Sequence, residues 1–403
     1  MRILIPHTRE LCYFSGGFFL DRIQEELAWR GVEVVRLSEM GDDYTELEDV
    51  AASGEFSAII DINSKLPRLI DDDGKYFLNS VDAPLYNYIL DHPLYHHHGL
   101  AVKLANYHVV GIDDYHCRFM REWYPYLKSV SCIPMGGTAA VSAVPFAARR
   151  RDFLFLGTYI SPRVLEERAF RVRSDFGEAT YKLMRELYDA WEPNRTPIEE
   201  ALHTLLSDYG GVYGGDVAMY INDVYEARDE AELLNRLYIV DQTKRNELRL
   251  AMLSEAADTG YDITIVGEGW DMTDLPGRKN VRLMEPVLME LSFELMANAR
   301  FVIDSNPLFF RGMHDRVTSA FANGCVCITN MSREYDRGLV DGRDLFYYGD
   351  RGSSIAGVMS KVSGMPVDET AAVAMSGHRV WEDRYSWKTH VDRLLSALKM
   401  SHV

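Results

Sequence analysis

Residues 301–330, FVIDSNPLFFRGMHDRVTSAFANGCVCITN, read as strand, loop, helix, strand. The apolar run 301–304 stops at Ser305, Asn306 and Pro307, and 325–329 is a second such run, so both suit buried parallel strands. Between them Val317, Ala320 and Phe321 recur at helical spacing, and Gly324 stands where a left-handed residue closes a helix. In a doubly wound sheet, ligands bind beyond the carboxyl ends of the strands, where the next helix offers N–H groups and a partial positive charge. The loop ahead of this helix suits an anion. Gly312 lets the backbone come close, and His314 and Arg316 can donate to phosphate oxygens. The same residues also fit an ordinary polar crossover turn, so the assignment depends on the rest of the chain.

Outward from this stretch, strand and helix alternate twice over. In the second half, 152–157, 262–266, 281–284 and 344–348 are strand candidates, with helices near 288–299 and from 354 onward. Gly267, Glu268, Gly269 and Trp270 follow one of these strands directly. Residues 160–255 read almost wholly as helix, broken by Gly210, Gly211, Gly214 and Gly215, and form a longer insertion than a βα domain needs. In the first half, 2–6, 32–37, 57–62, 84–90, 107–113 and 130–134 are strands, with helices over 18–30 and 115–124. Gly16 and Gly17 precede the first helix without forming GxGxxG, which argues against a nicotinamide fingerprint. Residues 138–151, rich in Ala and Val and ending in three arginines, are expected to link the two halves.

The 403 residues, 47% of them hydrophobic, suffice for two or three domains with real cores. With 61 acidic against 43 basic side chains the net charge is −18, which repels polyanions and argues against nucleic acid or an anionic membrane as partner. The opening residues look like a strand rather than a signal peptide, and no apolar run approaches the roughly 18 residues that span a bilayer. A cytoplasmic protein is expected. The cysteines at 12, 117, 132, 325 and 327 are scattered and read as reduced and buried.

Histidines cluster after the fourth strand. Asp91 and His92 stand where it should end, so their side chains are expected at the ligand-binding edge. His92 titrates near neutrality when unperturbed and has a carboxylate neighbour, although adjacent strand residues face opposite ways. A turn capped by Asp91 with His92 packed against it fits equally well. His96, His97 and His98 are consecutive and cannot all face one ion, so no metal site is expected there, only surface or supporting histidines.

Six pieces of the chain carry a resemblance: LDHPLYHH (90–97), IPMGG (133–137), DFLFLGTY (152–159), TIVGEGW (264–270), GMHDRVTSAFANGCVCITN (312–330) and DGRDLFYY (341–348). In this order they resemble bacterial glycosyltransferases of the GT-B fold, in particular the group with CgeB-like spore-maturation proteins and the group 1 transferases. The resemblance spans most of the chain and implies an α/β fold of two Rossmann-like βαβ domains facing a central cleft, with the helical insertion in the second half. The implied domains are 1–145 on the acceptor side, 152–380 on the donor side, and a C-terminal helix, 381–403, expected to pack back on the first. The implied activity is transfer of a hexose from a UDP- or GDP-linked sugar to a polysaccharide, glycolipid or protein, with the nucleotide sugar as co-substrate and no other cofactor or metal. By position Gly312, His314, Asp315 and Arg316 would hold the diphosphate, and Gly267, Glu268 and Trp270 would lie near the nucleoside. Retaining members commonly carry a glutamate three residues after the arginine, where this chain has Ser319, so both stereochemical courses stay open. An inverting course needs a base, for which His92 or Asp91 is the candidate. A donor-binding module without catalysis, or an epimerase of the same fold, are the alternatives.

Overall fold

Twelve short strands, all paired in parallel, form two six-stranded sheets among the described residues. The computed structural model describes residues 1–8, 15–40, 44–193, 195–208, 227–305, 309–330, 338–349 and 353–400. Cys12, the glycines at 210, 211, 214 and 215, and Asn306 and Pro307 lie outside them. The chain divides into two units, 1–136 with 387–403, and 137–386.

In the first unit β1 (Arg2–Thr8), β2 (Glu33–Met40), β3 (Ala58–Ile62), β4 (Leu85–Ile89), β5 (Tyr107–Gly111) and β6 (Ser129–Cys132) lie in the order β2-β1-β3-β4-β5-β6. Every residue of β3, β4 and β5 is buried, which is why these strands carry no polar–apolar alternation. The helices are α1 (Ser15–Trp29), α2 (Thr45–Ser53), the short α3 (His97–Leu100) and α4 (Asp114–Trp123). Because β2 is laid on one side of β1 and β3 on the other, the carboxyl ends of β1 and β3 flank a topological switch point. The terminal helix, Trp387–Met400, completes this unit: His390 Nδ1 meets the Pro134 carbonyl at 2.9 Å and its Nε2 lies 3.1 Å from the Tyr88 hydroxyl.

In the second unit β7 (Arg150–Leu156), β8 (Ile263–Val266), β9 (Val281–Met284), β10 (Ala299–Asp304), β11 (Val326–Thr329) and β12 (Phe346–Tyr347) lie in the order β12-β11-β10-β7-β8-β9. The insertion supplies α5 (Pro162–Ala190), α6 (Ile198–Asp208), α7 (Ala227–Arg236) and α8 (Tyr238–Asp258). After them come α9 (Met289–Asn298), α10 (Asp315–Ala322), α11 (Ile355–Gly364) and α12 (Val367–Val380), so that the terminal helix is α13. Phe153, Phe155, Ile263, Ile265, Ile303 and Ile328 from four strands pack with Leu253, Ala256 and Met359 into one core. Gly324, at φ 58°, closes α10 in the left-handed conformation, with the Cys325 amide bonded back to the Ala320 carbonyl at 2.9 Å.

The segment expected as a linker is held to the second unit instead. Asn323, just past α10, donates to the Thr138 carbonyl at 2.9 Å and accepts from the Ala140 amide at 2.8 Å, while Arg149 donates to the Asn323 and Gly324 carbonyls. Residues 138–140 therefore bond through their backbone to side chains on and just past α10, which composition could not show. Cys117, Cys325 and Cys327 are buried free thiols, and Cys132 is partly buried. No described helix is long and apolar enough to cross a membrane.

Candidate functional site

The second sheet reverses direction between β7 and β10, and Arg316 sits at that point. It is the second residue of α10, and its Nη1 lies 3.1 Å from Asp304 Oδ1 at the end of β10, while its guanidinium lies over the Phe155 ring of β7 at 5.8 Å. Asp304 is fully buried and also accepts from the Thr329 hydroxyl at 3.1 Å. One carboxylate thus binds the carboxyl ends of β10 and β11 to the first turn of the helix.

The N-terminus of α10 is capped by its own sequence. His314 takes extended backbone angles, φ −66° and ψ 143°, and its Nδ1 lies 3.2 Å from the Arg316 amide and 2.7 Å from Asp315 Oδ1. Its Nε2 lies 3.3 Å from Arg316 Nη2. Burial would raise the Asp315 carboxyl, but His314, Arg316 and a backbone amide outweigh it and hold the group below the usual carboxylate range. Gly312 is buried, whereas His314, Asp315 and Arg316 each keep some surface. The ring of His314, expected to meet a phosphate, is used in capping, and the guanidinium of Arg316 is shared between Asp304 and His314.

A second arginine escaped the sequence reading. Arg249, on α8 of the insertion, donates to the Thr158 carbonyl at 3.2 Å in the loop after β7. Its Nε is buried without a hydrogen-bond partner, although the residue keeps some surface. Burial first, then the charges of Arg245 and Arg316, push its guanidinium down to about 9 against the pull of Asp304 and Asp241. Arg245 already pairs with the buried Asp241 at 2.8 Å. Among the described residues Asp304 pairs with Arg316 alone, and Arg249 nearby adds a second guanidinium, an excess of positive charge at the switch point. Only the uncompensated burial of Arg249 identifies it, and no sequence motif surrounds it.

The residues expected near a nucleoside divide by role. Glu268 is exposed at the end of β8, and its backbone carbonyl accepts from the Tyr159 amide at 2.9 Å. Trp270, by contrast, is 1% exposed, its ring set edge-on to Phe155 and its Nε1 donating to the Gly157 carbonyl at 2.6 Å. The indole, expected near a nucleoside, lies beneath the loop and holds it from below. Gly267, at φ 145°, is also a packing residue, since a Cβ there would stand 2.1 Å from the Gly157 oxygen. Ser319 is 3% exposed, and its Oγ accepts from the Thr138 amide at 3.2 Å. The helix face around Ser319 is occupied by the 137–140 segment.

In the first unit, His92 is 3% exposed, its Nδ1 accepts from the Leu94 amide at 3.2 Å, and its ring packs against His116 and Phe119. That use of the ring removes it as a solvent-facing base, because the turn begun by Pro93 needs the cap. Asp91 keeps 36% of its side chain exposed beyond the end of β4. Of the three consecutive histidines only His98 is exposed; His97 is buried and 2.9 Å from the Tyr124 hydroxyl. Among the described residues no cluster of His, Cys, Asp or Glu is arranged to hold a metal.

Residues 244–396 match the family described as glycosyl transferase-like. A search of curated proteins finds no match. Among solved structures, HepE of Anabaena in complex with UDP-glucose is 10% identical, with 99% of this chain and 100% of that one covered and a TM-score of 0.56. The BGT of T4 phage in complex with its UDP-glucose substrate is 11% identical over 99% of both chains, with a TM-score of 0.53. Sucrose-phosphate synthase from Thermosynechococcus elongatus is 9% identical over 99% and 98%, with a TM-score of 0.50. At these identities the likeness is one of fold, and it runs the length of the chain. Residues 244–396 thus form a glycosyl transferase-like segment within a two-domain α/β protein that has the fold of the GT-B glycosyltransferases.

Proposed function

We propose that the protein moves a hexosyl group from a UDP- or GDP-linked sugar to a hydroxyl of a polysaccharide, glycolipid or protein, without a metal ion. The observation that carries this reading is Arg316 paired with buried Asp304 at the switch point of the second sheet, with Arg249, its Nε buried and unpartnered, near enough to feel both charges. Two guanidiniums near one buried carboxylate leave a cationic excess that a diphosphate neutralises, and Arg316 lies in the first turn of a helix whose dipole adds to it. The reacting bond is C1–O of the sugar phosphate. Charge that develops on the departing diphosphate is stabilised by these fixed cations, the task a metal performs elsewhere. Glu268, exposed at the end of β8, is the assigned partner for nucleoside hydroxyls. On the acceptor side Asp91 rather than His92 takes the hydroxyl proton, because His92 is buried and used as a cap. The UDP-glucose seen in the HepE and T4 phage structures is of the donor class proposed here.

The test is release of nucleoside diphosphate from a panel of UDP- and GDP-sugars, with and without EDTA. Release that EDTA leaves unchanged is expected; abolition by EDTA would refute the metal-free part, and silence together with no donor binding would refute the whole. Buried Ser319, in the place of a sugar-binding glutamate, favours a second reading as a donor-binding module, which predicts calorimetric binding without turnover.

A further inference from the structure

Asn63 is the one non-glycine residue with positive φ among the described residues, at 45°. A left-handed backbone is unfavourable for an L-residue and persists where the surroundings enforce it. Here the enforcement comes from the strand end before it. Asp61, fully buried at the switch point of the first sheet, accepts from the Thr8 hydroxyl at 2.9 Å, the Ser64 hydroxyl at 2.7 Å and the Ile62 amide at 2.8 Å. The Ser64 amide in turn donates to Asn87 Oδ1 at 3.0 Å. With both flanks pinned, the Asn63 amide reaches the Tyr88 carbonyl at 2.7 Å and its side chain spans to β4. Oδ1 accepts from the Leu90 amide at 3.1 Å, and Nδ2 donates to Asp91 Oδ2 at 3.2 Å. An independent observation points to the same atom. His96 has only 8% of its side chain exposed, its Nε2 is buried without a hydrogen-bond partner, and that nitrogen stands 3.7 Å from Asp91 Oδ2. A buried ring nitrogen left unbonded is destabilising unless the bond is made in another state of the site.

We propose that Asn63 and His96 are positioning residues for Asp91, fixing its carboxylate from two sides so that it accepts the proton of the incoming hydroxyl. This rests on the transferase reading above. In the step, the acceptor O–H proton passes to the Asp91 carboxylate while the oxygen forms a bond to the donor's anomeric carbon. The bond from that carbon to the diphosphate oxygen breaks, and the diphosphate leaves with the electron pair. His96 Nε2–H closes the gap and donates to Oδ2 during transfer, and the proton that Asp91 has gained leaves to solvent from the exposed part of its side chain, which resets the base without any added reactant.

The experiment uses the full chain and whichever of UDP-glucose, UDP-galactose, UDP-N-acetylglucosamine or GDP-mannose gives the fastest diphosphate release. Asn63→Gly keeps the backbone conformation, since glycine accepts φ 45°, and removes only the side chain. It should lower kcat about 10- to 100-fold with KM and calorimetric donor affinity within twofold, the share expected of orientation in general base catalysis. His96→Leu should do the same, and His96→Gln, which returns a polar group, should recover part of the loss. A purely structural role would instead lower stability with kcat intact, and kcat within twofold in both Asn63→Gly and His96→Leu overturns the inference. Silence of the unmodified chain with every donor overturns the transferase reading itself.

Discussion

Replacing Arg316 by alanine removes the one guanidinium that bonds Asp304 and leaves a fully buried carboxylate with only the Thr329 hydroxyl. Breaking a buried pair from one side costs about 3–5 kcal/mol. The variant should therefore unfold at markedly lower urea, and any loss of donor binding would be confounded with damage to the fold. Arg316→Ala combined with Asp304→Asn separates the two, because the second change discharges the stranded carboxylate. We expect the double variant to recover most of the stability and still bind donor weakly. A charge-assisted hydrogen bond contributes about 1.5–3 kcal/mol, so the donor Kd should rise about 10- to 150-fold. Calorimetry with a UDP-sugar reads the affinity and urea unfolding reads the stability. The reasoning is refuted if the double variant is stable and binds donor as tightly as the unmodified protein.

Other changes test the architecture. Burial pushes the Asp61 carboxyl from its ordinary 3.8 up to about 7, so the folded state keeps a proton that the unfolded state releases. Its contribution to stability is full below pH 3.8 and lost as pH rises through about 7, and Asp61→Asn should flatten that slope by on the order of 1–4 kcal/mol in urea titrations. His390 behaves in the opposite sense. Burial lowers it from 6.5 to about 4, so the stability it lends the α13 docking is present above pH 6.5 and falls as pH drops toward 4; His390→Asn should remove that acid limb in pH-dependent unfolding. Gly269→Ala places a Cβ 2.1 Å from the Tyr159 oxygen at φ 84°, whereas Gly260→Ala, at φ 78°, meets open space. The second should cost about 1–2 kcal/mol for its backbone alone, and the first should cost more and also weaken donor binding, both read by urea midpoints and calorimetry.

Much of the fold was legible because parallel strands buried on both faces leave continuous apolar runs, and β8, buried throughout from Ile263 to Val266, lies within the run read at 262–266. The helix after Met313 was equally plain, since Gly324 marks its end. What sequence could not supply was the use each polar group finds. His92 looks like a base until its ring is seen accepting from the Leu94 amide, and Trp270, read as lying near a nucleoside, is found buried with its N–H on Gly157. Arg249 lies in a helix whose face is undecided by periodicity, and only the approach of α8 to the loop after β7 brings it to Arg316. The 138–151 segment reads as a linker because Asn323, which holds its start, is 185 residues from its Thr138 partner. The loss in each case is of long-range pairing, which local pattern does not encode.

Calorimetric titration of the purified protein with UDP-glucose, UDP-N-acetylglucosamine and GDP-mannose, repeated on Arg249→Ala, tests the central claim most directly. The account predicts that at least one donor binds the unmodified chain and that Arg249→Ala weakens that donor about tenfold or more. No binding by any donor, or binding that Arg249→Ala leaves untouched, would contradict it.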